Sequence, residues 1–364
     1  MSVTEALWAA GTRLRLARQA RGLSQQQLAG MAGVTRQAVS AVESGHSDPS
    51  LRVALALAHA LGLTVEELFG PGDPADPVLA RPVVPVGGEG SRVALAAVGD
   101  TFVALPLSAE TSSRAGFGPA GGLVAGQELH GDLIAVRPIA PPRSTLVVAG
   151  CDPALPLLET PLALLDPPVG LAWWPCGNGE ALRLAAAGLV HAAGLHQPGD
   201  EAEIPDGAEV VGFASWREGL VTRPGTQITG LDDAIRQGLR LVNREPGAQA
   251  RKLLDGELSR LGLDPAGPVN LPGYDSQAAG HLQVAAAVAG RLADVGVSSE
   301  PAALAYGLNC IPLAEERFDL VLPAKHAASR EVQGLLRVLT SPWLLAQLAS
   351  LPGYDLSRCG ERSA

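Results

Sequence analysis

The chain has 364 residues, 47% of them hydrophobic and only 18% charged, which is enough for two or three domains with buried cores of their own. No apolar run reaches the roughly 20 residues of a membrane-spanning helix, and the start, Met1-Ser2-Val3-Thr4-Glu5, has neither the basic nor the apolar region of a secretory signal. Cys151, Cys176, Cys310 and Cys359 are scattered without a C-x-x-C, so neither a disulfide framework nor a zinc site is expected, and the expected compartment is the reducing cytoplasm.

The net charge of −10 is unevenly spread. Up to residue 52, Arg13, Arg15, Arg18, Arg21, Arg36 and Arg52 face only Glu5, Glu43 and Asp48, so a small basic head precedes an acidic body. The head reads as short helices. Leu7, Leu14, Leu16 and Ala17 form the first apolar stripe, ended by Gly22; Ser24 caps the next helix, and Gly30 and Gly33 supply a turn. Thr35 caps a helix from Arg36 to Val42. Leu51, Ala54, Leu55, Ala58 and Leu61 then repeat at helical spacing before Gly62, and Val65–Phe69 is a last turn.

Residues 71–92 hold five prolines and no helical period, which predicts a linker between a head at 1–70 and a small β-rich unit at 93–142. From residue 143 to 361 strand-length runs (TLVVAG, LAWWP, VVGFAS, LRLVNR, PVNLPG, ADVGVS, FDLVLP) alternate with helical segments such as 179–193, 248–261, 276–291 and 329–350. That alternation predicts a largely parallel sheet with covering helices. The fold class expected is multidomain: an all-α head, a β-rich middle unit and an α/β body.

The head resembles the λ-repressor/Cro-like (xenobiotic-response-element) helix-turn-helix regulators over residues 11–69, in the Ser24-Gln25 start, Ala29 and Gly33 at the turn, the Val39/Val42 pair, Glu43-x-Gly45 and Pro49. The resemblance implies operator DNA as partner. Thr35, Arg36, Gln37 and Ser40 fall on one exposed face, where Arg36 or Gln37 can read guanine or adenine bidentately, and Gln25 stands at a helix N-terminus able to meet phosphate. Glu43 reads better as a tie between helices than as a base reader. A homodimer on a pseudo-palindrome is the expected arrangement.

The body resembles the periplasmic-binding-protein-like domain of molybdate-sensor type, through segments 146–158, 177–196, 239–255, 271–297, 318–323 and 351–361. Such a fold has two lobes joined by crossing strands, expected here near 219–227 and 312–322. It implies a small anionic ligand where strand ends meet helix N-termini. The junctions are Cys151-Asp152, Gly177-Asn178-Gly179, Ala248-Gln249 with Arg251 one turn on, and Tyr274 after Gly273. Arg251 would offer the one planar charged fork. Molybdate or tungstate is what the resemblance implies, although Ala248, Gln249 and Ala250 lack the hydroxyls common there; a small organic acid suits Arg251 equally. His191 and His196, five apart with no third ligand in view, read as ordinary histidines, and Cys151 and Cys176 as small hydrophobes. No nucleophile motif, P-loop or carboxylate pair points to catalysis. The expected function is a non-enzymatic, ligand-responsive transcriptional regulator without a cofactor. The alternatives are a ligand-binding or molybdenum-cofactor-related scaffold whose head contacts protein, and a cysteine-based redox or metalloid sensor.

Overall fold

The computed structural model describes residues 10–69, 77–108, 117–125, 132–139, 143–197, 204–265 and 271–363. The chain divides into two compact units, Met1–Thr145 and Leu146–Ala364. Among the described residues no helix is long and apolar enough to cross a membrane.

Among the described residues the head has five helices: α1 (Ala10–Ala20), α2 (Gln25–Ala32), α3 (Arg36–Glu43), α4 (Leu51–Leu61) and α5 (Val65–Phe69). Their ends are written in the caps. Ser24 and Gln27 form a reciprocal capping box on α2, and Thr35 and Ser50 accept the backbone N–H groups of Ala38 and Val53. Gly33 closes α2 at φ 63°, a left-handed conformation that a side chain would strain, and so permits the tight turn into α3. Leu14, Leu28, Val39, Leu57 and Leu61 meet in the core of the head.

Five short strands follow: β1 (Val78–Pro82), β2 (Arg92–Val98), β3 (Thr101–Pro106), β4 (Gly122–Val124) and β5 (Ile134–Pro138). They close into a barrel in the order β1-β3-β2-β4-β5. The expected linker at 71–92 is corrected here. Residues 70–76 lie outside the described residues, but Val78–Pro82 is a barrel strand, parallel to β3 and antiparallel to β5. Val78 and Ala80 alternate into the barrel core, while Pro82 ends the strand, a place that tolerates a missing N–H. Counting prolines hid that alternation.

The second unit is built on β6 (Thr145–Ala149), α6 (Glu159–Ala163), β7 (Gly170–Trp174), α7 (Asn178–Ala187), β8 (Ala192–Gln197), β9 (Glu209–Thr222), α8 (Leu231–Arg236), β10 (Leu241–Arg244) and α9 (Gln249–Arg260). Then come β11 (Gln277–Ala278), α10 (His281–Ala289), β12 (Val295–Ser299), α11 (Glu300–Ala305), β13 (Asn309–Leu322), α12 (Arg330–Leu339), α13 (Pro342–Ala349) and β14 (Arg362–Ser363). The sheet order is β11-β10-β12-β9-β13-β8-β6-β7, with β14 beside β9. β9 and β13, each 14 residues, run antiparallel through both lobes. Their first-lobe ends (Phe213, Trp216, Phe318, Leu320) join the core around Leu146 and Leu335. Toward the other lobe, Leu220 packs with Leu241 and Leu254, and Val221 with Val284 and Val288. The pairing shifts register between Pro312 and Ala314, where proline has no N–H for the ladder.

The helical reading of 179–193 is also corrected: Gly188 ends α7 in the left-handed region and the chain turns into strand β8. Alanine propensity favoured helix there, and sheet pairing with β6 and β13 overrode it. The predicted strand at PVNLPG falls partly on residues outside the described ones, and Leu271–Ser276 forms turns. Residues 329–350 form two helices, because Pro342 starts the second.

His191, at the entry to β8, supplies a prediction. Its Nδ1 accepts the Val147 N–H at 3.0 Å, and burial followed by the neighbouring His326 lowers its pKa to about 3. The folded protein holds the ring neutral, whereas the unfolded chain protonates it near pH 6.5, so its contribution is intact above about pH 6.5 and declines as pH falls toward 3. The loss approaches roughly 5 kcal/mol at the acid end. His191→Asn, which keeps an acceptor for Val147, is expected to flatten urea-unfolding stability between pH 6.5 and 4; an unchanged slope would refute this.

Candidate functional site

The head presents α3 as its exposed helix. Val39 and Val42 are buried, while Arg36, Gln37 and Ser40 are exposed on the opposite side. Thr35 is exposed too, but its hydroxyl is engaged by the Ala38 N–H. Gln25 has another role: its amide donates to Glu43 Oε2 at 2.9 Å. Glu43 is buried and receives Arg18 through Nε at 2.6 Å and Nη2 at 3.0 Å, and Arg18 Nη1 also donates to the Leu23 carbonyl. The tie read for Glu43 from sequence thus has Arg18 and Gln25 as its partners, joining α1, α2 and α3.

The body holds its site between the lobes. β6 and β8 are parallel neighbours, paired Val148 to Ala192 and Ala149 to Ala193, so their C-terminal ends deliver Cys151 and His196 side by side. His196 Nε2 lies 2.8 Å from Cys151 Sγ, and its Nδ1 donates to Glu316 Oε2 at 2.6 Å from the crossing strand β13. Asn178, first residue of α7, accepts the His196 N–H. The other lobe contributes Arg244 at the end of β10, Ala248, Gln249 and Ala250 at the start of α9, and His281 at the start of α10. With Cys151, Gly177, Asn178 and His196 they line a cavity of about 10 Å³, room for about one water-sized occupant. A side chain on Gly177 would touch the Gly247 carbonyl at 3.6 Å, which measures how closely the two lobes meet.

The electrostatics come from burial. Burial opposes charge on His196, but Cys151 and Glu316 hold its pKa well above the ordinary histidine range. Burial, then Arg244 and His196, drive His281 well below it. Burial, then Glu316, raises Glu218 on β9 to about 7, and burial raises Asp152 to about 6. Arg244 remains cationic, because Glu245 offsets its burial. His281 Nε2 has no hydrogen-bond partner among the described residues. Its Nδ1 accepts the Ser299 N–H at 3.3 Å and faces Glu218 Oε1 at 3.5 Å. Sγ of Cys151 and one ring nitrogen each of His196 and His281 lie within 4.8 Å of one another, so the folded chain assembles a possible ligand set that the spacing did not reveal.

Of the ligand residues expected from sequence, Cys151, Gly177, Asn178, Ala248 and Gln249 line this cavity; Gly179, Asp152, Arg251 and Tyr274 do not. Arg251 is corrected as the cleft cation: its guanidinium pairs with Asp255, donates to the Tyr274 hydroxyl at 2.7 Å and stacks on that ring. Asp152 faces the other way, with Oδ1 accepting Ala154 N–H and Tyr354 O–H. Sequence reasoning missed Arg244 and His281 and set His196 aside. The available signal for the first and last was position, since each ends a strand run (LRLVNR, GLH).

Residues 14–68 match the helix-turn-helix family and residues 161–340 the PBP superfamily domain. An uncharacterised HTH-type transcriptional regulator of Methanocaldococcus jannaschii is 39% identical over 57 residues, 16% of this chain and 86% of its own length. The uncharacterised protein YvgK of Bacillus subtilis is 33% identical over 147 residues, 40% of this chain, and the match spans about half (46%) of that relative. An ABC-type phosphate transport receptor of Vibrio cholerae superposes with a TM-score of 0.42 at 14% identity, covering 57% of this chain and 98% of that one. The capped turn from α2 into α3 and the crossing strands β9 and β13 fall within the matched residues: the chain belongs to the helix-turn-helix transcriptional regulators and carries a PBP superfamily domain in its second unit.

Proposed function

We propose that the chain is a one-component transcriptional regulator: the head binds operator DNA through α3, and the body binds a small effector in the interlobe cavity. The observation that carries this reading is the pairing of a free recognition-helix face with a cavity lined from both lobes, so that an occupant binds closed and open lobes unequally. The regulator acts as a two-fold dimer; Leu51 and Leu55, 72% and 54% exposed on one face of α4, offer an apolar patch for it. A small oxyanion such as molybdate or tungstate is the second reading, favoured by buried Arg244 and by the N-terminus of α9, which has no side-chain cap.

The test uses a duplex enriched from random sequence by the full chain. Arg36→Ala or Gln37→Ala is expected to weaken it by about 1–3 kcal/mol in anisotropy titrations, and binding is expected to fall steeply with salt. Unchanged affinity in both variants would refute the DNA reading in favour of a protein-contacting head.

A further inference from the structure

We propose that the interlobe cavity is a site for a single transition-metal ion of the zinc(II) class, ligated by Cys151 Sγ, His196 Nε2 and His281 Nε2. This names the effector of the regulator reading and rests on that reading for its effect at DNA, though not for binding itself.

Four observations converge. Cys151 Sγ and one ring nitrogen of each of His196 and His281 lie within 4.8 Å of one another around a space for one water-sized occupant. His281 Nε2 is buried and has no hydrogen-bond partner among the described residues, an arrangement that is costly unless something takes it up. Each ring also has a buried carboxylate at its other nitrogen: Glu316 at 2.6 Å from His196 Nδ1, and Glu218 at 3.5 Å from His281 Nδ1. A carboxylate behind an imidazole is how metal-binding histidines are oriented. One thiolate with two imidazoles is, finally, a borderline-soft donor set that suits zinc or copper rather than magnesium or calcium.

Binding needs little movement. In a tetrahedral site the Sγ–Nε2 separation is about 3.6 Å, against the 2.8 Å hydrogen-bond distance between Cys151 and His196. On entry of the ion, the thiol proton and any proton on the two Nε2 atoms leave to solvent. His281 changes tautomer in the process: Nδ1, which accepts from Ser299 while the ring proton sits on Nε2, gives up that contact, takes up a proton from solvent and donates it to Glu218. Cys151 and His196 belong to one lobe and His281 to the other, so the ion would tie the lobes together.

The test is competition of the full-length chain against a zinc chelator of known affinity, with cobalt(II) as a spectroscopic substitute. One zinc per chain is expected, with a thiolate-to-cobalt charge-transfer band. Cys151→Ser and His281→Ala are each expected to weaken zinc by at least about 100-fold, beyond the roughly 10–100-fold expected for Glu316→Gln, which positions His196. Metal-free thermal melts establish that each variant is folded. Zinc should also protect Cys151 from alkylation by iodoacetamide. Absence of saturable binding, equal affinity in folded Cys151→Ser and His281→Ala, or alkylation indifferent to zinc would overturn the proposal. Operator affinity is measured separately: a chain that binds zinc through these residues while its DNA affinity ignores zinc keeps the site and loses the regulator reading.

Discussion

Glu43→Ala is expected to destabilise the helical head by about 3–5 kcal/mol and to abolish operator binding at temperatures where the second unit remains folded. The carboxylate is buried between α1 and α3, where Arg18 holds it with two hydrogen bonds and Gln25 with a third. Removing it leaves a guanidinium at 9% exposure with only the Leu23 carbonyl among these partners. A head of this size buries little surface to set against such a loss. The double variant Arg18→Met/Glu43→Leu removes both charges and is expected to recover most of the stability, because a buried pair replaced by apolar groups costs little. Circular-dichroism melts of the three proteins decide this; a single variant as stable as the wild type would show that the tie carries no weight.

Phe318→Ala is expected to cost about 3–5 kcal/mol in the second unit and to weaken the cleft as well. The ring is fully buried, with centroids 5.2 Å from His196, 5.8 Å from Trp216 and 6.0 Å from Phe213. It also fills the space that Gly194 leaves on β8: a Cβ at 194 would come within 2.7 Å of the Phe318 ring. The cavity left by the deletion therefore opens beside the ring of His196. Urea unfolding should register the loss, with Phe318→Leu intermediate; equal stability of all three would contradict the packing described.

Much of this was legible in the sequence because local chemistry determines it. Ser24 and Thr35 cap the helices they were expected to cap, and Gly33 makes the turn. The junctions at Cys151, Gly177-Asn178 and Ala248-Gln249 are where the lobes meet. What the sequence concealed depends on pairing between distant segments. β8 hid in an alanine-rich run until β6 and β13 flanked it, and β1 hid among prolines until β3 and β5 enclosed it. Arg251 looked like the cleft cation because nothing in its own helix shows that Tyr274, from a later turn, takes the guanidinium; Arg244, at a strand end, faces the cavity instead. His196 and His281 had no spacing rule to announce them, since they come from different lobes.

The claim that cleft occupancy governs DNA binding is tested most directly by the affinity of the full chain for its selected duplex, measured across a buffered zinc series in the wild type and in Cys151→Ser. The account predicts a shift of about 5–150-fold in the wild type, the usual range of coupling between two sites, and none in the variant. Wild-type affinity that stays constant while zinc saturates the chain would contradict it.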